Sequence, residues 1–455
     1  MLMLRFGSRR AFLVSSPEAL EECLTTNDIT FANRPRLLAG KHLGFDYTTL
    51  NWSNYGAHLR SLRRIVTLEL LSAHRLQTLK AIRAEEVRHL VKKVYQRAVR
   101  DGTIEMKSML FEVMLNLMMM MIAMRRNYGD DSVTDEGEAR RLMEIVQESL
   151  KVMETTNVSD YLPWWKWVGG KQLEEKMVAL KEKWIVYMQD LIEEQRRKTV
   201  VVGNSGSSES SIMKKEEQKN LIEVLLMLQE TEPEFHNDEV IRGLLQVLIA
   251  AGTDTSSVTM EWMLSLLLNN PEALKKVQAE IDNCVGEDRL LNESDLSNLP
   301  YLRCIINETM RMYPVAPILI HESTKDCTVG GYHIPSGTML MMNLWAVQND
   351  PKNWEDPKKF KPERFLGLEG SADGYKLMPF GAGRRRCPGE NLAMRMMGLT
   401  MGTLIQCFEW ERPSNEMIDM TEGSGVTMPK AIPLVVKCRP RGMTAKLFRD
   451  VHNSV

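Results

Sequence analysis

One stretch of the sequence decides the fold: Phe380-Gly381-Ala382-Gly383-Arg384-Arg385-Arg386-Cys387-Pro388-Gly389. It places a single cysteine in a glycine-rich loop, directly before a helical pattern that runs from Asn391 to Cys407. A thiol at the start of a helix lies near unpaired backbone N–H groups and the positive end of the helix dipole, which both favour the thiolate. The glycines let the backbone approach a flat partner closely, and Pro388 fits the first helical position. The stretch therefore predicts one sulfur ligand presented to a soft metal centre.

The bulk composition excludes several classes of protein. The chain has 455 residues, 44% of them hydrophobic, and a formal net charge of −2, so no global field points to nucleic acid. Its seven cysteines are scattered and odd in number, which argues against a disulfide framework and favours a reducing, cytosol-facing environment. No apolar run is expected to reach the ~18 residues of a membrane-spanning helix. The first seven residues are too short for a signal peptide.

A second stretch that carries chemistry lies in a long helix predicted over Asp238–Asn269, with Asn237 or Asp238 as its cap and Pro271 after its end. Its middle, residues 250–257, is rich in small and hydroxylated residues. Such residues in an apolar helix predict a local opening, where a hydroxyl or water interrupts the backbone hydrogen bonds. Close packing of small residues against another helix is the alternative.

Together the two stretches resemble the haem-thiolate monooxygenases of the cytochrome P-450 superfamily. That family's haem-binding loop has the pattern Phe-x-x-Gly-x-Arg-x-Cys-x-Gly, which is matched by Phe380, Gly383, Arg385, Cys387 and Gly389. The resemblance implies a mainly α fold with small β-sheet lobes (α+β). It places haem b between the long central helix and the helix after the cysteine loop, with Cys387 as the axial ligand of the iron.

The resemblance also assigns residues in the long helix, because its middle matches the family's oxygen-binding groove. Thr255 is assigned to hold dioxygen or its water, and Asp254 to relay protons from solvent. Ala251 and Gly252 are assigned to the cofactor-facing side of this groove. The implied enzyme inserts one atom of O₂ into a small hydrophobic or aromatic substrate.

Two further positions match family contacts to the haem propionates. Arg63 lies in a helical pattern over Tyr55–Leu71 and matches the arginine of a Trp-x-x-x-Arg motif. Leu59 stands at the tryptophan position, so one donor is lost, and His58 is a candidate to replace it. His321 matches another propionate partner.

A carboxylate and a guanidinium share a helix face at Glu308 and Arg311, within a helix predicted over Tyr301–Tyr313. A lone pair of this kind is by default an exposed ion pair worth about 0–1 kcal/mol. With Arg364 in a downstream Pro-Glu-Arg-Phe segment, it resembles the family's Glu-Arg-Arg triad, which is expected to lock the scaffold of the cysteine loop.

The remaining pattern is read as one domain over residues 1–455. Its β-rich portions are expected at about 1–15, 315–345 and 408–438, three long helices between Ala73 and Val158, and a flexible loop at 202–220. The sequence Trp164-Trp165-Lys166-Trp167 suits a membrane–water interface or, equally, packing between helices.

The finer resemblance is to plant microsomal hydroxylases of flavonoids, isoflavones and related phenylpropanoids. It implies electrons from NADPH through a separate flavoprotein, NADPH-cytochrome reductase, because no Gly-x-Gly-x-x-Gly fingerprint is present, with cytochrome b5 as a further candidate donor. A basic surface is expected to steer the acidic donor, and its residues are Arg60, Arg64, Arg384 and Arg386.

Family members of this type sit on the cytosolic face of the endoplasmic reticulum behind an anchor and a Pro-rich hinge. The printed chain opens at the family's first strand, which we interpret as a shortened expression product or a truncated gene. It is then expected to be soluble or peripheral, and a monomer. Two alternative functions stay open: a haem-thiolate isomerase or lyase that needs no reductase, and a non-catalytic haem carrier or sensor.

Overall fold

The computed structural model describes residues 1–128, 136–155, 157–167, 171–203, 219–367 and 374–447. Its strands are β1 (Leu2–Phe6), β2 (Arg9–Val14), β3 (Ile104–Glu105), β4 (Ile318–Glu322), β5 (Cys327–Val329), β6 (Tyr332–Ile334), β7 (Met339–Asn343), β8 (Phe408–Glu411) and β9 (Val435–Pro440). Its first helices are α1 (Pro17–Leu24), α2 (Leu38–His42), α3 (Ala57–Ile65), α4 (Ala73–Thr78), α5 (Lys80–Arg100), α6 (Met106–Ala123), α7 (Glu136–Glu154) and α8 (Lys171–Gly203). The later helices are α9 (Leu221–Thr231), α10 (Asp238–Asn269), α11 (Pro271–Val285), α12 (Pro300–Met312), α13 (Leu344–Asn349), α14 (Glu390–Cys407) and α15 (Gly442–Leu447).

Helix α10 has the predicted bounds, and its cap is Asn237, whose side chain accepts the amide of Val240 at 3.0 Å. The predicted opening of this helix is wrong, because the helix is continuous through residues 250–257. The hydroxyl of Thr255 donates to the carbonyl of Ala251 at 2.7 Å, and Thr259 repeats this contact with Thr255 at 2.8 Å. Hydroxyls that bond back to the preceding turn are satisfied without breaking the helix.

The strands form three small sheets. The largest has the order β1-β2-β7-β4, with β2 and β7 parallel. A second has the order β3-β9-β8, and β5 pairs with β6 around Gly330 and Gly331. Strand β3 has only two residues and lies in the region where the sequence indicated three long helices. The sequence did not predict it, because pairing of Ile104 with Val436 is a long-range contact with no local signal. Between β8 and β9 the chain is mostly irregular.

The core is built on α6, which packs along α10. Helix α6 is long and apolar enough to cross a membrane by length and composition, although 78% of it is buried inside the protein. The expectation that no apolar segment reaches this length is therefore wrong. Lys107 and Glu112 interrupt the apolar residues of α6, but the mean hydropathy of the helix is still as high as that of a membrane-spanning helix. Most of the methionine run 118–121 is buried here, as expected for adaptable core side chains.

Two sequence interpretations concern loops. Of the loop expected at 202–220, residues 204–218 lie outside the described residues, while Gly203 ends α8 and Asn220 is the buried cap of α9. The tryptophan sequence forms a 3₁₀ turn at Pro163–Trp167. Its tryptophans are exposed, Trp167 to 90%, so the alternative that they pack between helices is wrong.

Candidate functional site

The cysteine loop is shaped by two glycines and one backbone bond. Gly381 and Gly383 have φ angles of +66° and +64°, a region that other residues rarely adopt. The amide of Cys387 donates to the carbonyl of Phe380 at 2.8 Å and closes the loop. Helix α14 begins only after Gly389, so Pro388 precedes the helix and the prediction that it is the first helical residue is wrong.

Cys387 is exposed to solvent, although many protein atoms lie around its thiol. Burial raises its pKa, while the amide of Gly389 and the charges of Arg63 and Arg386 lower it. The net effect of burial and these contacts is a raised pKa, so the expectation that the loop by itself favours thiolate is wrong. A bound metal supplies the stabilisation that a thiolate needs in such a place.

Gly383 is required by a neighbour that the sequence did not reveal. A Cβ at this position would lie 2.5 Å from Oδ1 of Asp28, a nearly buried carboxylate. Asp28 accepts the backbone amide of Arg384 at 3.1 Å and its guanidinium at 2.6 Å. The N-terminal region thus clamps the cysteine loop from one side. Gly389, in contrast, has a φ of −86° and an added Cβ would make only ordinary contact, so its backbone amide is its visible contribution.

Three arginines converge beside this loop: Arg34, Arg63 and Arg385. Arg385 donates to Ala32 O at 2.7 Å and to Ser53 O, and Arg63 donates to Arg386 O at 2.9 Å. Arg34 donates to the carbonyls of Asn51, at 3.1 Å, and Ile320. In the ranges that the structure describes, these partners are all carbonyl oxygens, and none is a carboxylate.

This cluster fits an anionic group. Burial lowers the pKa of Arg34 to about 10 and of Arg385 to about 9, with the neighbouring arginines contributing at Arg385. Nη1 of Arg385 is buried and has no hydrogen-bond partner among the described residues. Because buried cations need compensating anions, the donor set matches the two propionates of a haem.

His321 lies at the same place, in β4. It is buried, and burial together with Arg34 and Arg385 holds its pKa well below the usual value. The imidazole is therefore neutral and adds no charge to the cluster, and one ring nitrogen is bonded to the backbone of Phe31.

The site differs from the sequence interpretation at the missing tryptophan. Leu59 is fully buried in the core, and His58 is exposed and bonds to Thr48 O at 2.7 Å through Nε2. His58 is thus engaged elsewhere. The sequence analysis did not identify Arg34 as a cation of this site. The segment Asn33-Arg34-Pro35 has no helical or strand periodicity, and its proline indicates only an interruption of regular structure.

The groove residues of α10 divide into two sets. Ala251 and Thr255 keep accessible surface in the middle of the helix, and Asp254 is nearly buried. A Cβ on Gly252 would lie 2.5 Å from Sδ of Met118 on α6, so close packing of the two helices accounts for this glycine. The carboxylate Oδ2 of Asp254 accepts the hydroxyl of Thr427 at 2.8 Å, and burial raises its pKa.

The structure brings Glu308, Arg311 and Arg364 together. Arg311 donates twice to Glu308, at 2.7 and 2.9 Å, and Arg364 donates at 3.0 Å. Glu308 also accepts the amide of Lys361 at 3.0 Å, and Arg311 donates to the carbonyls of Gln348 and Pro357 at 2.8 Å each. Both central side chains are fully buried. The triad joins α12 to the segment that leads towards the cysteine loop.

The expected basic surface is only partly available. Arg384 is paired with Asp28 at 2.6 Å, and Arg386 with Glu390 at 2.7 Å. Arg60 and Arg64 on α3 are exposed, and neither has a carboxylate partner within the described part of the chain.

Comparison with known proteins gives consistent matches over nearly the whole chain. A family model described as cytochrome P450 matches residues 1–435. The chain is 45% identical to cytochrome P450 81Q32 of Catharanthus roseus, over 98% of this chain and 86% of that protein. It is 44% identical to isoflavone 3'-hydroxylase of Medicago truncatula, over 95% of this chain and 84% of that protein. It is 41% identical to (+)-piperitol/(+)-sesamin synthase CYP81Q2 of Sesamum radiatum, over 99% of this chain and 86% of that protein.

A solved structure agrees in fold. A zebra fish cytochrome P450 with progesterone has a TM-score of 0.79 at 24% identity, and the match covers 97% of this chain and 96% of that chain. The predicted mainly α fold with small sheet lobes is confirmed.

Proposed function

This chain belongs to the cytochrome P450 family and is an oxidoreductase of the monooxygenase type, and from that premise we propose that it hydroxylates a flavonoid, isoflavone or related phenylpropanoid. The observation that carries the proposal is the loop of Cys387 beside three partly buried arginines without carboxylate partners in the described ranges. The relatives at 40–45% identity include proteins named isoflavone 2'-hydroxylase and isoflavone 3'-hydroxylase, which supports the substrate class.

Different residues would bind haem and transfer protons. Cys387 would ligate the iron, while Arg34, Arg63, Arg385 and His321 would hold the propionates. Bound haem supplies activation of O₂, and a thiolate ligand favours cleavage of the O–O bond.

Proton handling belongs to α10. The hydroxyl of Thr255 donates to Ala251 O but can also accept a hydrogen bond, so it can hold a water in the groove. Asp254, one residue earlier, is the buried carboxyl that would exchange protons with that water.

A second candidate reaction follows from another relative, the (+)-piperitol/(+)-sesamin synthase at 41% identity. A chain of this kind would use the same site to form (+)-piperitol or (+)-sesamin. Mass spectrometry of the products separates the two candidates, since hydroxylation adds one oxygen atom to the substrate.

The proposal is tested with the holoprotein, a plant NADPH-cytochrome reductase, NADPH and a panel of isoflavones, flavonoids and lignans. We expect a substrate-dependent spin-state change and a hydroxylated product that requires NADPH. Product without NADPH or reductase would instead indicate an isomerase or lyase, and haem binding without turnover of any substrate would indicate a carrier or sensor. Either result refutes the proposed hydroxylase.

Thr255→Ala is expected to divert electrons from product to hydrogen peroxide while haem stays bound. The change removes the hydroxyl that can hold water in the groove but leaves the helix intact, because Ala is a good helix former. The measurement is product and peroxide per NADPH oxidised. Thr259→Ala, which removes the same contact one turn later, is the control and should keep the coupling of the wild type. Tight coupling in Thr255→Ala would exclude this residue as the oxygen-handling hydroxyl.

The reductase, and cytochrome b5 if it also donates electrons, are proposed to dock near Arg60 and Arg64, the exposed arginines of α3. Reversing both charges to Glu should slow the first electron transfer and weaken its dependence on salt. Stopped-flow reduction at several ionic strengths measures this. Reversal of Arg386, already paired with Glu390, is the control with a smaller expected effect. Equal reduction rates in all variants would contradict this docking site.

We also propose that the protein works at the cytosolic face of the endoplasmic reticulum, as a monomer in contact with the membrane surface. The exposed tryptophans at 164, 165 and 167 support this, because tryptophan favours the membrane–water interface. Leu2 and Phe6 on β1 are also exposed, and Phe6 contacts Tyr161, so the apolar surface continues from the tryptophan turn onto β1.

A further inference from the structure

The segment before β9 is fastened along one face of α10. Asn269 bonds twice to the backbone of Ile418, at 2.8 and 2.9 Å. Two turns of α10 earlier, Trp262 donates to Met428 O and Glu261 accepts from Leu434 N, both at 2.8 Å. Side chains seven or eight residues apart share a helix face, so these contacts form one line along α10.

Asp254 is the next position of this line, seven residues before Glu261. The residue is 8% exposed, and among the described residues the hydrogen-bond partner of its side chain is the hydroxyl of Thr427, at 2.8 Å from Oδ2. Lys107, on α6, is the charged group that acts on this carboxyl, and its charge opposes the effect of burial. Thr427 is therefore the direct contact that fixes the orientation of Asp254.

Thr427 lies at the end of an exposed turn, next to Val426. The following residue, Met428, donates its amide to Val315 O at 2.9 Å, so the turn is tied to the chain after α12 as well as to α10. A hydroxyl has one proton to donate, and here that proton points to Asp254. This turn is thus bonded to the residue assigned to the proton relay.

We propose that Thr427 is a positioning residue for proton delivery, whose hydroxyl holds the carboxylate of Asp254 in the orientation from which it exchanges protons with the groove; this rests on the proposed monooxygenase function. The contact links residues 173 positions apart. Hydrogen bonds to charged groups are among the stronger ones in proteins, so its loss should be measurable.

The first test compares Thr427→Val, which keeps the shape and removes the hydroxyl, with Thr427→Ser, which keeps the hydroxyl. In the holoenzyme with reductase, Thr427→Val should lower product per NADPH by about tenfold, increase peroxide and enlarge the solvent isotope effect, while Thr427→Ser stays near wild type. In an Asp254→Asn background, Thr427→Val should have no further effect, since the two residues act as a unit.

The second test needs no turnover. Infrared spectra of the oxidised holoprotein are recorded across pH, and the band of the Asp254 carboxyl is identified by its absence in Asp254→Asn. Loss of a donor that stabilises the carboxylate raises the pKa of this carboxyl further, so the protonated band of Thr427→Val should persist to higher pH. Thr427→Ser should restore the wild-type midpoint.

The outcomes separate this inference from the proposed function. If wild type makes product and Thr427→Val leaves coupling and the carboxyl midpoint unchanged, the positioning role is wrong and the monooxygenase stands. The role is also wrong if Thr427→Val changes only the substrate KM, or if its effect adds fully to that of Asp254→Asn. If wild type makes no product with any substrate, the proposed function fails, and the infrared titration alone still decides whether Thr427 controls Asp254.

Discussion

Replacing Cys387 by alanine is expected to abolish the strongly red-shifted Soret band of the reduced carbon monoxide complex. This band reports thiolate ligation of haem iron, and Cys387 is the residue that its loop presents, with its amide bonded to Phe380 O at 2.8 Å. Burial raises the pKa of this thiol, so the protein alone does not keep it ionised. The thiolate should therefore exist only with the metal, and haem binding should release a proton near neutral pH.

The control for this variant is Cys284→Ala, which removes a half-buried free cysteine of α11. It should keep both the band and the haem content of wild type. A band of wild-type position in Cys387→Ala would refute the ligand assignment. A band shifted to the position typical of a nitrogen ligand would mean that a different side chain can reach the iron.

Glu308→Ala is expected to have the largest effect on stability, about 3–5 kcal/mol of unfolding free energy. The change leaves the guanidinium of Arg311 fully buried with two carbonyl partners and no counter-charge in the described ranges. It also removes the acceptor of Arg364 and of the Lys361 amide. Denaturant unfolding of the holoprotein, followed by haem absorbance and by circular dichroism, measures the loss.

The matched control is Glu272→Ala, because Glu272 and Lys275 have the same spacing on a helix but are largely exposed. An exposed pair contributes little, so unfolding should stay close to wild type. Glu308→Gln, which keeps an acceptor and removes the charge, should fall between the two. If Glu308→Ala costs no more than Glu272→Ala, the triad does not support the scaffold of the cysteine loop.

The parts of the site that the sequence predicted are those with local signals. Helix α10 has a capping Asn237, a following Pro271 and an apolar pattern between them, and all three act over a few residues. The Glu308–Arg311 pair follows from spacing on one helix, and the cysteine loop from a dense motif. These features need no knowledge of the rest of the chain.

The parts that the sequence did not predict depend on contacts between distant segments. Asp28 reaches Arg384 across 356 positions, and Thr427 reaches Asp254 across 173. The sequence around Arg34 indicated only an interruption of regular structure, because the role of Arg34 depends on Arg385 and His321, which lie beside it only in the folded chain. The ionisation of Cys387 was mispredicted for the same reason, since a helix end is visible in sequence and desolvation by the surrounding fold is not.

The contact between Gly252 and Met118 limits how this enzyme can be engineered. A common way to narrow a pocket is to add a methyl group to a small helical residue that lines it. At position 252 the new methyl would lie 2.5 Å from the thioether sulfur of Met118 on α6, so the side chain of Met118 would have to move first. A larger residue at position 252 therefore acts first on the packing of α10 against α6, and movement or shortening of the side chain at 118 has to make room for it.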